Sequence, residues 1–248
     1  MKKVYLYQDY VFNNDILRNR LIDVFGYGSV HAIDSTTLHQ KLTTTPPDLF
    51  VMPGGADLYL CEKLTSKDLN ALKKYVASGG SYLGICSGAY FASGSIKWAE
   101  HYPDFSIIEK RALCFHKGCA TGPIPTYCKE PDQPLFDSAC TLSNENGEIF
   151  KALYRSGPVF EEGYGEKVLY RYEDVEDKPA AIIHLNVGKG NVILMSPHLE
   201  FRSSDWDKIV YQQNNHCYED NLKLSEEISP YDCFIDTVWR DILSQLTS

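Results

Sequence analysis

Apolar residues recur along the first third of the chain in short blocks separated by longer amphipathic segments. Four blocks have the length and composition of β-strands and end at polar or turn residues: 2–8, 29–34, 48–53 and 81–85. The segment 65–80 spaces its apolar residues as a helix does, starts at a Thr-Ser cap and ends in glycine, and 14–26 is also amphipathic. Asp34 or Ser35 is predicted to cap a further short helix toward Leu42.

The alternation of strands and helices predicts the fold class. Parallel strands joined by helical crossovers form an α/β fold, here a flavodoxin-like, mostly parallel sheet with helices on both faces. Ligands of such sheets gather beyond the carboxyl ends of the strands. Gly54-Gly55 follows the third predicted strand and Cys86 follows the fourth. We therefore look for the functional site at these two strand ends.

The second half of the chain has shorter apolar runs. Residues 105–172 are rich in Gly and Pro, which favours short strands or β-ribbons. The segment 180–200 predicts a hairpin that turns at Gly188-Lys189-Gly190 and stops at Pro197.

The tail is predicted to hold two helices, at 204–214 and 231–246. No internal repeat or Pro/Ser-rich linker divides the chain. We therefore expect one domain over 1–248, in which 203–248 forms a C-terminal helical extension.

Composition and charge narrow the class of partner. The 248-residue chain has a net charge of −9 and no basic run, which argues against nucleic acid or an anionic membrane surface. The first apolar stretch is broken by Gln8 and Asp9, too early for a signal peptide, and no stretch approaches about 18 apolar residues. We expect a cytoplasmic protein that acts on a small molecule, with no nucleic acid or membrane as a partner.

The eight cysteines do not form a metal-binding or disulfide pattern. No C-x-x-C pair occurs, which argues against zinc, and a chain of this length does not need disulfides to fold. We expect most of these residues to be buried free thiols that pack as small hydrophobic groups. Neither a metal nor another cofactor is expected.

One cysteine stands in a different context. In "GGSYLGICSGAYFAS" Cys86 lies between Gly84 and Gly88, where a predicted strand turns into a helix. A nucleophile on such a sharp turn needs small residues two positions before and after it, because a side chain there would collide with neighbouring elements. The N–H groups that open the following helix favour the nucleophilic thiolate. Cys86 is therefore a candidate nucleophile, with a merely tight turn as the alternative.

A thiol nucleophile needs a base, and the base needs an orienting acceptor. Among seven histidines, His198 in "MSPHLE" follows an apolar strand and a proline, with Glu200 two residues later. Residues i and i+2 of an extended segment point to the same side, so Glu200 can fix the imidazole of His198. The alternative for an isolated H-x-E pair is a polar pair at the surface.

The third element is the Gly-Gly turn in "MPGGAD". Two successive glycines after a buried strand can turn their N–H groups into a cavity. Together with the N–H of Ser87, such a turn can stabilise the negative oxygen of a tetrahedral intermediate. A plain loop is the alternative.

These three elements, in this order, resemble the class I glutamine amidotransferase-like superfamily. More narrowly, five segments look like the amidotransferase-like domain at the amino terminus of eukaryotic-type biotin–protein ligases: "PGGADLYL", "GGSYLGICSGAYFAS", "FHKGCATGP", "YRSGPVF" and "SPHLEF". The resemblance covers roughly 1–202 and implies that superfamily's fold. It implies that Cys86 is the nucleophile, His198 the base, Glu200 its orienting partner, and Gly55 and Ser87 the oxyanion donors.

The residues expected to contact the substrate differ from those of glutamine-using members of the superfamily. Candidate substrate-binding residues are Gly54, Tyr90 and Gly157. Glutamine-using members of the superfamily commonly have a substrate-contacting glutamine two residues after the elbow glycine, whereas Gly88 is followed by Ala89 and Tyr90. Free glutamine is therefore expected to be a poor substrate. No G-x-G-R-G-like biotin/ATP loop occurs, so biotinylation is not implied.

Three hypotheses follow for the function. The first is a cysteine hydrolase or amidotransferase that forms a thioester from a carboxamide or related acyl group, with any acceptor on a separate polypeptide. The second is a catalytically quiet domain that binds a small molecule or a partner protein. The third is a redox sensor in which Cys61 or Cys119 would resolve an oxidised Cys86.

Overall fold

Five short strands form the parallel centre of the sheet. In this computed structural model, which describes residues 2–12, 14–127, 134–208 and 218–248, they lie in the order β2-β1-β3-β4-β13. Their bounds are β1 Val4–Tyr7, β2 Val30–Ile33, β3 Leu49–Met52, β4 Ser81–Ile85 and β13 Gly190–Met195. Met52 pairs with Gly84 and Ile85 pairs with Met195, so the carboxyl ends of β3, β4 and β13 lie side by side.

Helices cover both faces of this sheet, as predicted. Side chains alternate across a strand, and Val4 and Leu6 pack on one face while Tyr5 and Tyr7 pack on the other. The first face is covered by α1 Asn14–Phe25 and α7 Asp232–Thr247. The opposite face is covered by α2 Leu38–Thr44, α3 Asp57–Lys63, α4 Ser66–Ala77 and α5 Ser87–Phe91. The α/β fold class is therefore confirmed.

A largely antiparallel region continues the sheet beyond β13. The main path runs through β12 Ala180–Val187, β10 Val159–Phe160, β7 His116–Gly122, β5 Ser93–Trp98 and β6 Ile107–Lys110. A branch from β12 consists of β11 Lys167–Tyr172, β8 Asp137–Ser143 and β9 Ile149–Arg155. The hairpin β12–β13 turns at Gly188, as predicted; its φ of 62° and its closeness to the Ala77 carbonyl favour glycine.

The carboxyl-terminal part packs against the α/β core. It contains 3₁₀ turns at Ser203–Lys208 and Ser229–Tyr231, the helix α6 Tyr218–Ile228, and α7. Asp236 of α7 forms ion pairs with Arg20 of α1 at 2.8 Å and with Arg202 at 2.9 Å, and Trp239 is fully buried.

Several local predictions need correction. The helix predicted at 204–214 is a 3₁₀ turn to Lys208, and 209–214 lies outside the described residues. Helix α6 was not anticipated. Helix α2 begins at Leu38, later than predicted, because the side chain of Asp34 accepts hydrogen bonds from the hydroxyls of Thr36 and Thr37 and holds a turn instead.

Another short turn, Pro125–Tyr127, is also 3₁₀. In the ranges that the structure describes, no helix is both long and apolar enough to cross a bilayer.

Candidate active site

Cys86 occupies a strained turn between β4 and α5. Its φ of 50° and ψ of −105° are rarely adopted by a residue with a side chain. The turn is held because the N–H of Cys86 donates to the Met195 carbonyl at 2.8 Å, while the N–H groups of Ala89 and Tyr90 donate to the Cys86 carbonyl at 3.0 Å. Such strain costs on the order of 1–3 kcal/mol and persists only where neighbouring structure enforces it. The predicted sharp strand-to-helix turn is therefore present.

The two flanking glycines are required by close packing. A Cβ on Gly84 would lie 2.7 Å from the Gly88 carbonyl oxygen, and one on Gly88 would lie 2.2 Å from the Met52 carbonyl oxygen. Both distances are shorter than real Cβ contacts. The reason that the sequence suggested for glycine at these positions is confirmed.

His198 and Glu200 form a buried pair directly after β13. The N–H of His198 donates to the Leu153 carbonyl of β9 at 2.8 Å, which fixes the backbone. The Nδ1 atom of the imidazole lies 2.7 Å from Oε1 of Glu200. Both side chains are almost fully buried. The carboxylate can therefore hold the ring in the tautomer that leaves Nε2 able to accept a proton.

The imidazole and the thiol approach each other around Gly54. A Cβ built on Gly54 would lie 3.0 Å from Cε1 of His198 and 3.5 Å from Cβ of Cys86, so both side chains flank this glycine. The thiol of Cys86 donates to the Arg155 carbonyl at 3.4 Å. Within the described part of the chain, Nε2 of His198 has no hydrogen-bond partner of good geometry.

The electrostatic environment favours a charged His198. Burial alone would lower the pKa of His198, but the neighbouring Glu200 carboxylate and Cys86 outweigh it and raise that pKa to about 10. The imidazole of His198, which flanks Gly54 together with Cys86, can therefore hold a proton at neutral pH.

The Gly-Gly turn lies against the start of α5. The hydroxyl of Ser87 donates to the Pro53 carbonyl at 3.1 Å, and the N–H of Phe12 donates to the Gly54 carbonyl at 2.9 Å. Gly55 forms an isolated bridge with Val11. The structure thus brings both sequence-predicted oxyanion donors, Gly55 and Ser87, to the segments that border Cys86.

The other candidate substrate-binding residues are set into the protein interior. Tyr90 is 3% exposed, and its hydroxyl donates to the Ser156 carbonyl at 3.2 Å. Burial is the main reason that the pKa of Tyr90 is raised well above its usual value. A Cβ on Gly157 would lie 2.4 Å from Oγ of Ser196, so this glycine permits close packing beside β13.

Three residues beside the thiol carry no recognisable sequence signal. The Arg155 guanidinium forms an ion pair with Asp137 at 2.8 Å and lies 4.1 Å from the ring centre of Phe12. Arg155 also supplies the carbonyl that accepts from Cys86, and Phe12 holds Gly54. Asp137 and Arg155 face each other across the β8–β9 hairpin, whereas Phe12 comes from a distant segment, so only the tertiary structure brings Phe12 to them.

The remaining cysteines correct one prediction. Cys140 is buried, but Cys61, Cys114 and Cys233 are exposed and Cys119 is partly exposed, so the expectation that most cysteines are buried is wrong. The exposed thiols lie on short turns or on helix positions that do not face the core. Cys128 and Cys217 are outside the described residues. Among the residues that the structure describes, no three His, Cys, Asp or Glu side chains are grouped as metal ligands.

Comparison with known proteins gives a family match over nearly the whole chain. The family model described as "Biotin-protein ligase, N terminal" matches residues 15–246. A biotin–protein ligase of Schizosaccharomyces pombe is 31% identical over 176 residues, which is 68% of this chain and 28% of that protein. An uncharacterized protein of Chlamydia muridarum is 34% identical over 170 residues, 66% of this chain and 64% of the relative.

Solved structures resemble the fold at low sequence identity. A protein assigned as a GMP synthase subunit, from Thermoplasma acidophilum, aligns with a TM-score of 0.50 and 11% identity, over 98% of both chains. PurLQS from Thermotoga maritima aligns with a TM-score of 0.51 and 14% identity, over 93% of this chain and 99% of that one. At these identities the likeness shows the fold alone, which is glutamine amidotransferase-like.

Proposed function

The chain belongs to the biotin–protein ligase N-terminal family, and from this premise we propose that it is a cysteine-dependent hydrolase or amidotransferase. Its substrate would be a carboxamide or a related acyl compound. The observation that supports this best is the combination of a strained Cys86 with the buried pair of His198 and Glu200. Strain at a cysteine and a buried ion pair both cost stability, and nucleophilic catalysis explains why they occur together.

The first half-reaction forms a thioester. The Cys86 thiolate attacks the substrate carbonyl carbon, an S–C bond forms, and the carbonyl π electrons move to oxygen. The N–H groups of Gly55 and Ser87 would stabilise that oxyanion. His198 then donates its proton to the leaving amine as the C–N bond breaks, and Glu200 stabilises the imidazolium until then.

The second half-reaction releases the acyl group. A water molecule, or the amine of an acceptor, loses its proton to His198 and attacks the thioester carbon. The S–C bond breaks and the thiolate is regenerated beside a protonated His198. Where the acceptor is an amine, we propose that a separate protein supplies or binds it.

A second candidate function rests on a specific observation. Cys86 is only 9% exposed, and two cavities of about 570 and 200 Å³ lie elsewhere on the molecule. A domain that binds a small molecule or a partner without turnover would tolerate such an enclosed thiol. This alternative predicts binding that does not depend on Cys86.

Covalent trapping separates the two functions. The protein is incubated with a panel of amides, small peptides and glutamine, and intact mass and peptide mapping detect a thioester on Cys86. We expect ammonia or amine release that is abolished in Cys86→Ala and reduced on the order of 100-fold or more in His198→Ala. Cys140→Ala, which removes another buried thiol, is the matched control.

Turnover that survives in Cys86→Ala would exclude the thioester mechanism. Robust activity on free glutamine would leave the mechanism intact but contradict the expectation drawn from Ala89 and Tyr90.

A further inference from the structure

A largely buried ion pair lies immediately after the Gly-Gly turn, with the Asp57 side chain 12% exposed. Asp57, the first residue of α3, accepts a hydrogen bond at 2.8 Å from Nε of Arg111, which follows β6 at the far edge of the sheet. The Arg111 side chain is 2% exposed. Its Nη1 donates to Glu109 at 2.8 Å, and its backbone N–H donates to the Gly94 carbonyl at 3.0 Å. This network therefore connects the outer strands β5 and β6 to the start of α3.

The position of the Gly-Gly turn is set by the residues on either side of it. Gly54 and Gly55 have no side chains through which packing could hold them, and glycine has the greatest backbone freedom. Upstream, the turn is held by Ser87 and Phe12 through the Pro53 and Gly54 carbonyls.

Downstream, only Ala56 separates Gly55 from Asp57. Ala56 is the N-cap of α3 and makes no side-chain capping bond. The contact between Asp57 and Arg111 is therefore the nearest side-chain anchor on that side.

Burying these two charged groups costs desolvation free energy, which indicates that the pair has a role other than stabilising the fold. Burial raises the pKa of Asp57 above its usual value although the Arg111 cation opposes this effect. A buried ion pair seldom stabilises a fold more than well-packed apolar residues would, but it holds its partners in one geometry.

We propose that Asp57 and Arg111 are positioning residues that hold Gly55 where its N–H can bind the oxyanion. This inference rests on the proposed function, because an oxyanion forms only if Cys86 attacks a carbonyl. It predicts that breaking the pair slows carbonyl addition while the nucleophile itself keeps its reactivity.

Two reagents separate these effects at the same sulfur. Iodoacetamide alkylates Cys86 by displacement of iodide at a saturated carbon, and no oxyanion forms. With p-nitrophenyl acetate the thiolate attacks the carbonyl carbon, passes through an oxyanion, and expels p-nitrophenolate as the C–O bond breaks. Rates for both reactions are measured at Cys86 by peptide mapping, with nitrophenolate release as a second readout for acylation.

We expect Asp57→Ala and Arg111→Met to slow acylation at least about tenfold and to change alkylation by less than about twofold. Asp236→Ala is the matched control, because it removes the carboxylate that pairs with Arg20 and Arg202 without touching the turn. It should leave the ratio of acylation to alkylation unchanged. If Asp57→Ala does not fold by circular dichroism, Asp57→Asn, which retains an acceptor for Arg111, replaces it with a smaller expected loss.

The outcomes distinguish this inference from the proposed function. A wild-type protein that is not acetylated on Cys86 contradicts the proposed function itself. Acetylation of the wild type with an unchanged ratio in both Asp57 and Arg111 variants overturns the positioning role alone. So does a parallel loss of both reactions, which would indicate a general structural defect.

Discussion

Cys86 and Cys140 are both buried, and both donate their thiols to carbonyl groups of β9. The distance is 3.4 Å in each case, to Arg155 and to Ala152. Cys140 lies within the regular strand β8, and burial raises its thiol pKa far above the usual value. Cys86 lies on a turn with positive φ, and its side chain and the imidazole of His198 both lie next to Gly54. Burial and a hydrogen bond are therefore common to both thiols, whereas the strained backbone turn and the neighbouring imidazole are found at Cys86 and not at Cys140.

The largest expected difference between the two thiols is chemical. Under limited iodoacetamide treatment near neutral pH, we expect Cys86 to be the most reactive of the eight cysteines and to react on the order of 100-fold faster than Cys140. The reason is the charged imidazole of His198 beside Cys86, whereas burial and the nearby Asp174 carboxylate disfavour a thiolate at Cys140. Peptide mapping measures this. Preferential labelling at any other cysteine would contradict the assignment.

The next difference concerns the backbone. We expect Gly84→Val and Gly88→Val each to lower the free energy of unfolding by about 3 kcal/mol or more, because the added side chains would collide with the carbonyls of Gly88 and Met52. Cys86→Ala should fold normally, since alanine fits the turn. Cys140→Ala should lose about 1–2 kcal/mol of packing.

Thermal or urea denaturation of the four variants tests this expectation. Unchanged midpoints for both valine variants would show that the turn does not require glycine.

A third test uses the dependence of stability on pH. The pKa of His198 in the folded protein, about 10, lies above the unfolded value of about 6.5, so the folded state binds the additional proton between these values. The stability that this proton contributes is fully present below about pH 6.5 and is lost as the pH rises to about 10. Glu200→Gln removes the carboxylate that supports the charge.

We expect the stability deficit of Glu200→Gln to be larger at pH 6 than at pH 10 by on the order of 1 kcal/mol or more. Urea denaturation at several pH values measures it. Glu226→Gln, on an exposed position of α6, is the control and should show no such trend. A deficit that does not vary with pH would mean that Glu200 does not support a charged His198.

The smallest expected effect concerns access to the thiol. The ring of Phe12 lies against the Arg155 guanidinium, next to the carbonyl that receives the Cys86 thiol. Phe12→Ala should increase labelling of Cys86 by a bulky maleimide a few-fold, with little change for iodoacetamide. Cys140 should be unaffected. Equal acceleration of both reagents at both thiols would indicate general loosening of the fold.

The sequence determined the local features of the site. The glycines at 84 and 88, the H-x-E spacing of His198 and Glu200, and the alternation of strands with helices follow from steric and periodic rules that act over a few residues. Those rules predicted the α/β fold and a sharp turn at Cys86. They did not predict helix α6 or the residue at which α2 begins, because side-chain hydrogen bonds and packing decide such boundaries.

Only the tertiary structure decided which distant groups meet. Two contacts near the site join distant segments. Phe12 packs on Arg155, which lies 143 residues later in the chain, and Asp57 pairs with Arg111. The burial of Cys140 and the exposure of Cys61 likewise depend on which elements pack against each position. Such contacts form because the sheet order sets β9 beside His198 and the β5–β6 edge near α3. No periodicity along the chain encodes that order.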